Sequence, residues 1–132
     1  MLLAKKGRKY PKIKVLVVHP TKEIRDRVES YISETFGCKV TTTTNYDRAL
    51  TKLQDAAVAG GPAAKFHIVV TAYDIAAPST GQHNQGPALV QAIRSNPLIQ
   101  KISVILETAG NKVKDIDADA FFPSLEKMEG LA

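Results

Sequence analysis

Hydrophobic residues along this chain fall into short runs of strand length that alternate with stretches of helical period. Residues 13–18 are almost wholly apolar and predict a buried strand. The next segment carries apolar side chains at four-residue spacing, at Ile24, Val28 and Ile32. This spacing predicts a helix that is capped by Thr21 and runs to Phe36. Gly37 then supplies the left-handed residue that closes many helices.

The same alternation continues along the rest of the chain. Further strands are predicted at 38–44, 66–72, 102–106 and 118–122, from runs of apolar and β-branched residues. Further helices are predicted after Asn45, a good capping residue, and from Pro87, which suits a first helical turn. Residues 76–85 are rich in Pro, Gly, Ser and Asn and predict a loop. Strands that alternate with helices indicate a parallel sheet covered on both faces.

The length and the cysteine content limit what kind of protein this is. A chain of 132 residues has the size of one domain. Its apolar runs are too short to span a membrane, and its start lacks the apolar core of a signal peptide. The only cysteine, Cys38, cannot form an internal disulfide, which suits a reducing compartment. We therefore expect a soluble cytoplasmic protein without a membrane partner.

The positive charge is concentrated near the N-terminus. Six of the 18 Lys and Arg residues precede the first acidic residue, Glu23, so the formal charge of +5 divides into +6 before residue 15 and −1 after it. We divide the chain into a basic arm at 1–12 and a domain at 13–132. Such an arm can bind nucleic acid, but solvated leaders often look the same, and Tyr10 is its only aromatic residue. Residues 1–10 are expected to be mobile and to contribute little to folding.

Several phrases, in their order and spacing, resemble the receiver domain of response regulators. They are VLVVHPTKEIR at 15–25, HIVVTA at 67–72, GPALVQAIR at 86–94, VILETA at 104–109 and ADAFF at 118–122. The resemblance implies a flavodoxin-like, doubly wound α/β fold with a parallel five-stranded sheet in the order 2-1-3-4-5.

The resemblance also implies a phosphorylation pocket, which this chain has largely lost. In the family an acidic pair at the end of the first strand and an aspartate on the third hold the magnesium ion used in phosphoryl transfer. His19 and Pro20 occupy the positions of the pair, and neither supplies the oxygen ligands that magnesium prefers. The family's lysine after the fifth strand aligns near Ser124, whereas Thr108 matches the hydroxyl residue at the end of the fourth strand.

The acceptor position depends on how the third strand is aligned. Counting from the start of the strand places Ala72 there, whereas counting back from Pro78 selects Asp74. We favour Ala72, because the packed sheet sets strand length while loops accept insertions. Asp74 is then expected to be a solvated loop residue.

A second departure follows Thr108. Only ten residues separate it from Asp119, too few for a full fourth helix with its connections, so this helix is expected to be short or missing. Apolar surface beside the fourth and fifth strands would then need another cover. Val113 and Ile116 are expected to rim this surface and to contact a protein partner, which could be a second copy of the chain.

The sequence offers little support for catalysis. His19, His67 and His83 lack metal-ligand spacing, and no phosphate-binding loop or nucleophile motif is present. We expect no enzyme, cofactor or metal site, but a pseudo-receiver that works in signal transduction through protein contacts. Two alternatives stay open: a receiver phosphorylated at Asp74, and a nucleic-acid-associated module that uses the basic arm.

Overall fold

A computed structural model of the chain describes residues 9–59 and 65–107, together with Pro123 and Leu125. Strands and helices alternate through this part. They are β1 (Lys14–Val18), α1 (Lys22–Phe36), β2 (Lys39–Thr43), α2 (Tyr46–Val58), β3 (Ile68–Ala72), α3 (Gly86–Ser95) and β4 (Ser103–Glu107). The sequence pattern predicted each of these elements.

The strands form one parallel sheet in the order β2-β1-β3-β4. This confirms the α/β class and the expected order of the first four strands. The described residues contain four strands where five were expected, because the predicted fifth strand at 118–122 lies outside them. The segment expected to lack a full fourth helix also lies outside the described residues.

Helices cover both faces of the sheet, as its two separate apolar clusters show. One cluster joins α1 and the buried Leu125 to alternate residues of β1, β3 and β4. The other joins α2 and α3 to the opposite residues of β1 and β3. Every residue of β3 is buried, whereas most of β4 is only partly buried. The apolar runs that predicted strands therefore mark a sheet interior covered on both sides.

The ends of the first two helices follow local rules with one exception. Gly37 adopts a φ of 69° and its N–H donates to the carbonyl of Ser33, which closes α1. Asn45 caps α2 by accepting a hydrogen bond from the N–H of Arg48 at 3.0 Å. Thr21 stands at the N-cap of α1 in an extended conformation, but its side chain makes no capping hydrogen bond.

The end of the basic arm is packed against the domain, contrary to the expectation for residues 1–10. Tyr10 is only 3% exposed and belongs to the cluster under α1. Its N–H donates to the carbonyl of Phe36 at 2.7 Å, and the Lys9 ammonium donates to the carbonyl of Glu34 at 2.7 Å. Burial of an aromatic ring of this size stabilises the folded state. The prediction was therefore wrong at Tyr10; residues 1–8 lie outside the described residues.

In the described ranges, no helix is long and apolar enough to cross a lipid bilayer.

Candidate functional site

The carboxyl ends of the four strands meet at one edge of the sheet, where ligands of open α/β folds bind. Ala72 is in register with Glu107 at this edge, and Val18 lies beside Thr71 and Thr43. The structure therefore brings together the candidate residues that it describes, which are His19, Pro20, Ala72 and Asp74. Thr108 and Ser124, like Val113 and Ile116, lie outside the described residues.

Three hydrogen bonds hold His19 in place. Its N–H donates to the carbonyl of Thr43 at 3.0 Å, which extends the pairing of β1 with β2 by one residue. Its ring atom Nδ1 accepts the N–H of Thr21 at 3.0 Å, and its carbonyl accepts the Arg25 guanidinium at 2.9 Å. The same guanidinium reaches the carbonyl of Pro20 at 3.1 Å. Arg25 thus fixes the turn from β1 into α1, a role that sequence reasoning missed.

Ala72 ends β3 with a methyl group, 6% exposed. The next N–H, that of Tyr73, donates to the carbonyl of Glu107 at 2.8 Å, and the carbonyl of Tyr73 accepts the N–H of Gly86 at 2.9 Å. These bonds fix the chain between β3 and the start of α3. Asp74 follows in an exposed turn, two residues past the end of the strand.

The side chains of His19, Pro20 and Ala72 offer no oxygen ligand to a magnesium ion. Nδ1 of His19 is engaged by a backbone N–H, Pro20 has no side-chain donor, and Ala72 offers only a methyl group. Magnesium requires several oxygen ligands in octahedral geometry. Within 9–59 and 65–107 no group of three or more His, Cys, Asp or Glu side chains could hold a metal ion.

The segment between β3 and α3 is more ordered than its composition suggested. Ala77 and Gln82 form an antiparallel bridge around a tight turn in which Gly81 has a φ of 74°. The Asp47 carboxylate, at the start of α2, accepts the N–H of Ser79 at 2.7 Å and its hydroxyl at 2.9 Å. Sequence reasoning missed this contact between Asp47 and Ser79. The sign of it in the sequence was the position of Asp47 in the first turn of a helix, where acidic residues are favoured.

Two histidines accept backbone hydrogen bonds that only the neutral imidazole can accept. Nδ1 of His19 accepts from Thr21, and at the opposite edge Nδ1 of His67 accepts the N–H of Lys14 at 3.0 Å. Burial lowers the pKa of His19 from 6.5; the Asp74 charge opposes this shift and the Arg25 charge adds to it. Burial also lowers the pKa of His67, with a further contribution from the Lys14 charge.

Acidification should destabilise the fold through these histidines. With the folded-state pKa below the unfolded value, the unfolded chain binds more protons, so the stabilisation is present above pH 6.5 and is lost as the pH falls toward the folded pKa. His67→Asn keeps an acceptor oxygen without a titrating ring, so urea unfolding of this variant should depend less on pH between about 5 and 7 than that of the parent chain. His83→Asn, in the exposed segment before α3, is the matched control. Equal pH dependence in both variants would refute the role of His67.

Comparison with known proteins finds matches in structure but none in sequence. No family model matches the chain, and no curated protein matches it. The bacteriophytochrome response regulator AtBRR is similar in structure, with a TM-score of 0.65 and 13% identity over 90% of this chain and 94% of that one.

Two other solved structures give the same result. The Mn(2+)-bound form of response regulator Rcp1 has a TM-score of 0.58 and 15% identity, over 85% of this chain and 75% of that one. A sensor protein from Polaromonas sp. JS666 has a TM-score of 0.60 and 14% identity, over 92% of this chain and all of that one, 100%. At such identities the likeness establishes the fold alone: this chain has the receiver-type α/β fold.

Proposed function

We propose that this chain is a signalling domain of the receiver type that accepts no phosphate and acts by binding a protein partner. One observation carries the proposal: β1 continues into His19 and Pro20, and β3 ends on Ala72. His19 and Pro20 stand at the positions where the resemblance to receivers implies the acidic pair, and Ala72 stands at the acceptor position in the alignment that we favour. The fold is present, and the oxygen ligands for a magnesium ion are missing from these positions.

The loss of these carboxylates bears directly on phosphoryl transfer. A metal ion normally offsets the negative charge of a phosphoryl group during its transfer. Without the metal ion, most of the stabilisation of the transition state is lost. The environment of His19 also disfavours the imidazolium that could replace the metal charge, since burial lowers its pKa. Asp74, in its exposed turn, keeps a carboxylate close enough to act on His19 through its charge, and it is the one alternative acceptor that we consider.

The chain should therefore show no change in mass when incubated with a small acyl phosphate and magnesium. Intact-mass spectrometry before and after incubation measures this, with an active receiver domain as positive control. Asp74→Asn is the matched variant, since it removes the alternative acceptor and keeps the size of the side chain. A magnesium-dependent gain of one phosphoryl group in the parent chain, abolished in Asp74→Asn, would establish the alternative and overturn the proposal.

The partner surface is proposed to lie beside β4, around Val113 and Ile116. β4 is the last strand of the described sheet, and Val104 and Leu106 on it are only partly buried. The partner at this surface could be a second copy of the chain or another protein.

If the surface joins two copies of the chain, Val113→Asp or Ile116→Asp should weaken self-association, as measured by analytical ultracentrifugation. Thermal melting of both variants would show whether the fold is intact.

A further inference from the structure

The opposite edge of the sheet, where the strands begin, collects lysines from distant parts of the chain. Lys14 and Lys39 are the first residues of β1 and β2, and Lys65 and Lys101 lie shortly before β3 and β4. Each parallel strand thus brings a lysine to the same edge. We call this the basic face; its residues are Lys9, Lys12, Lys14, Lys39, Lys65 and Lys101.

Four of these lysines have side chains without a polar partner in the described structure. Lys12, Lys39, Lys65 and Lys101 are exposed, and within the described part of the chain none of them forms a hydrogen bond or an ion pair through its side chain. The other two are engaged: Lys14 lies 4.9 Å from the centre of the Phe66 ring, and Lys9 caps α1.

The arrangement is costly for the fold. Lys14 and Lys39 are direct partners in the register of β1 and β2, which places two like charges on neighbouring strands. Neighbouring strands lie about 4.8 Å apart, and like charges in such positions destabilise a sheet. The nearby acidic residues described at this end, Glu34 and Asp55, are too few to neutralise it.

The carboxyl edge of the sheet carries both signs of charge. Its described acidic residues come from both helix starts and strand ends, and they are Glu23, Asp26, Asp47, Asp74 and Glu107. The basic residues Lys22, Arg25 and Arg48 lie at the same edge, and Lys22 pairs with Asp26, so much of this acidic charge is offset. Lysines predominate only where the strands begin.

We propose that the basic face binds the sugar-phosphate backbone of nucleic acid without reading its sequence. Lysines carried by four adjacent strands extend over roughly 14 Å, enough to contact several phosphates at once. The described aromatic residues at this edge, Tyr10 and Phe66, are buried and cannot stack on bases. A membrane surface is a less suitable ligand for the basic face. Binding at a membrane surface uses apolar side chains that insert into the lipid. The basic face consists of lysines, and the exposed apolar residues near it, Leu98 and Val58, lie at its rim.

The test is fluorescence anisotropy of the full chain with a labelled DNA duplex of about two helical turns, repeated with single-stranded RNA of the same length and titrated in salt. The parent chain should bind both, with an affinity that falls steeply between about 50 and 200 mM salt. Replacing Lys12, Lys39, Lys65 and Lys101 by glutamine should weaken binding at least about tenfold at low salt and reduce the logarithmic salt slope by about 3. The corresponding arginine variants should restore binding.

A matched control separates the face from net charge. Lys22, Arg27, Arg48 and Lys52 lie on α1 and α2 away from this edge, and their replacement by glutamine removes the same charge. This control should keep most of the binding, and thermal melting of all variants should show an intact fold. Equal loss in both glutamine variants, or no loss in the first, would overturn the proposal. Binding to phosphatidylserine vesicles with none to either nucleic acid would overturn it in favour of a membrane surface.

Discussion

Replacing Gly86 by alanine should lower the stability of the domain by about 2 kcal/mol, because there is no room for a methyl group at this position. A Cβ atom there would lie 2.5 Å from the carbonyl oxygen of Ala72 and 2.7 Å from the Cα of Tyr73. Both are backbone atoms fixed by the pairing of β3 with β4 and by the hydrogen bond from Gly86 to Tyr73. Neither can move without separating α3 from the end of the strand.

Thermal or urea unfolding measures the effect, and a loss of about 2 kcal/mol corresponds to a fall in Tm of about 8 °C in a domain of this size. Gly81→Asn is the control. Gly81 has a φ of 74°, which asparagine tolerates, and nothing lies within 4 Å of a Cβ added there. Asn84, with a φ of 56°, already adopts such a conformation nearby. A Gly86→Ala variant as stable as the parent chain would show that the start of α3 is not packed as described.

Replacing Tyr10 by alanine should destabilise the domain by about 3 kcal/mol, the usual effect of removing a buried aromatic ring. Tyr10 is 3% exposed and packs in the cluster that includes Phe36 and Leu125. The ring joins the start of the domain to the end of α1, so its loss leaves a cavity on the face that α1 covers. Urea unfolding of the full chain measures the change.

Two controls locate this effect. Pro11 is exposed beside Tyr10, and Pro11→Ala should change stability by less than about 0.5 kcal/mol. Removal of residues 1–8 should also change it little, since Lys5, Lys6 and Arg8 carry like charge with no acidic residue among them, which favours a solvated segment. If Tyr10→Ala leaves unfolding unchanged, or removal of residues 1–8 destabilises as strongly as that substitution, the boundary between arm and domain lies elsewhere.

The two proposals place two contacts on different parts of one domain. The protein contact is proposed beside β4, and the nucleic-acid contact at the edge where the strands begin. Both leave the edge around His19 and Ala72 without a chemical role.

The order and type of the described elements follow from the local sequence pattern. Strand-length apolar runs predicted β1 and β3 because both faces of these strands are buried, which leaves an uninterrupted apolar signal. The stripe at Ile24, Val28 and Ile32 predicted α1, and Gly37 and Asn45 marked helix ends through local backbone geometry. The residue types at His19, Pro20 and Ala72, on which the proposed function rests, could be read from the sequence because each stands at or just after the end of a predicted strand.

Contacts between residues that are distant in the chain became known only from the way the elements pack. Tyr10 follows a run of charges that signals a solvated leader, and its burial depends on a pocket formed by α1. Three further features join residues that are separated in the chain. They are the contact of Gly86 with Ala72, the hydrogen bonds of Asp47 to Ser79, and the grouping of lysines at one edge of the sheet. The local sequence pattern carries no information on these contacts, because they depend on the register of the parallel strands and on how the helices pack across the sheet.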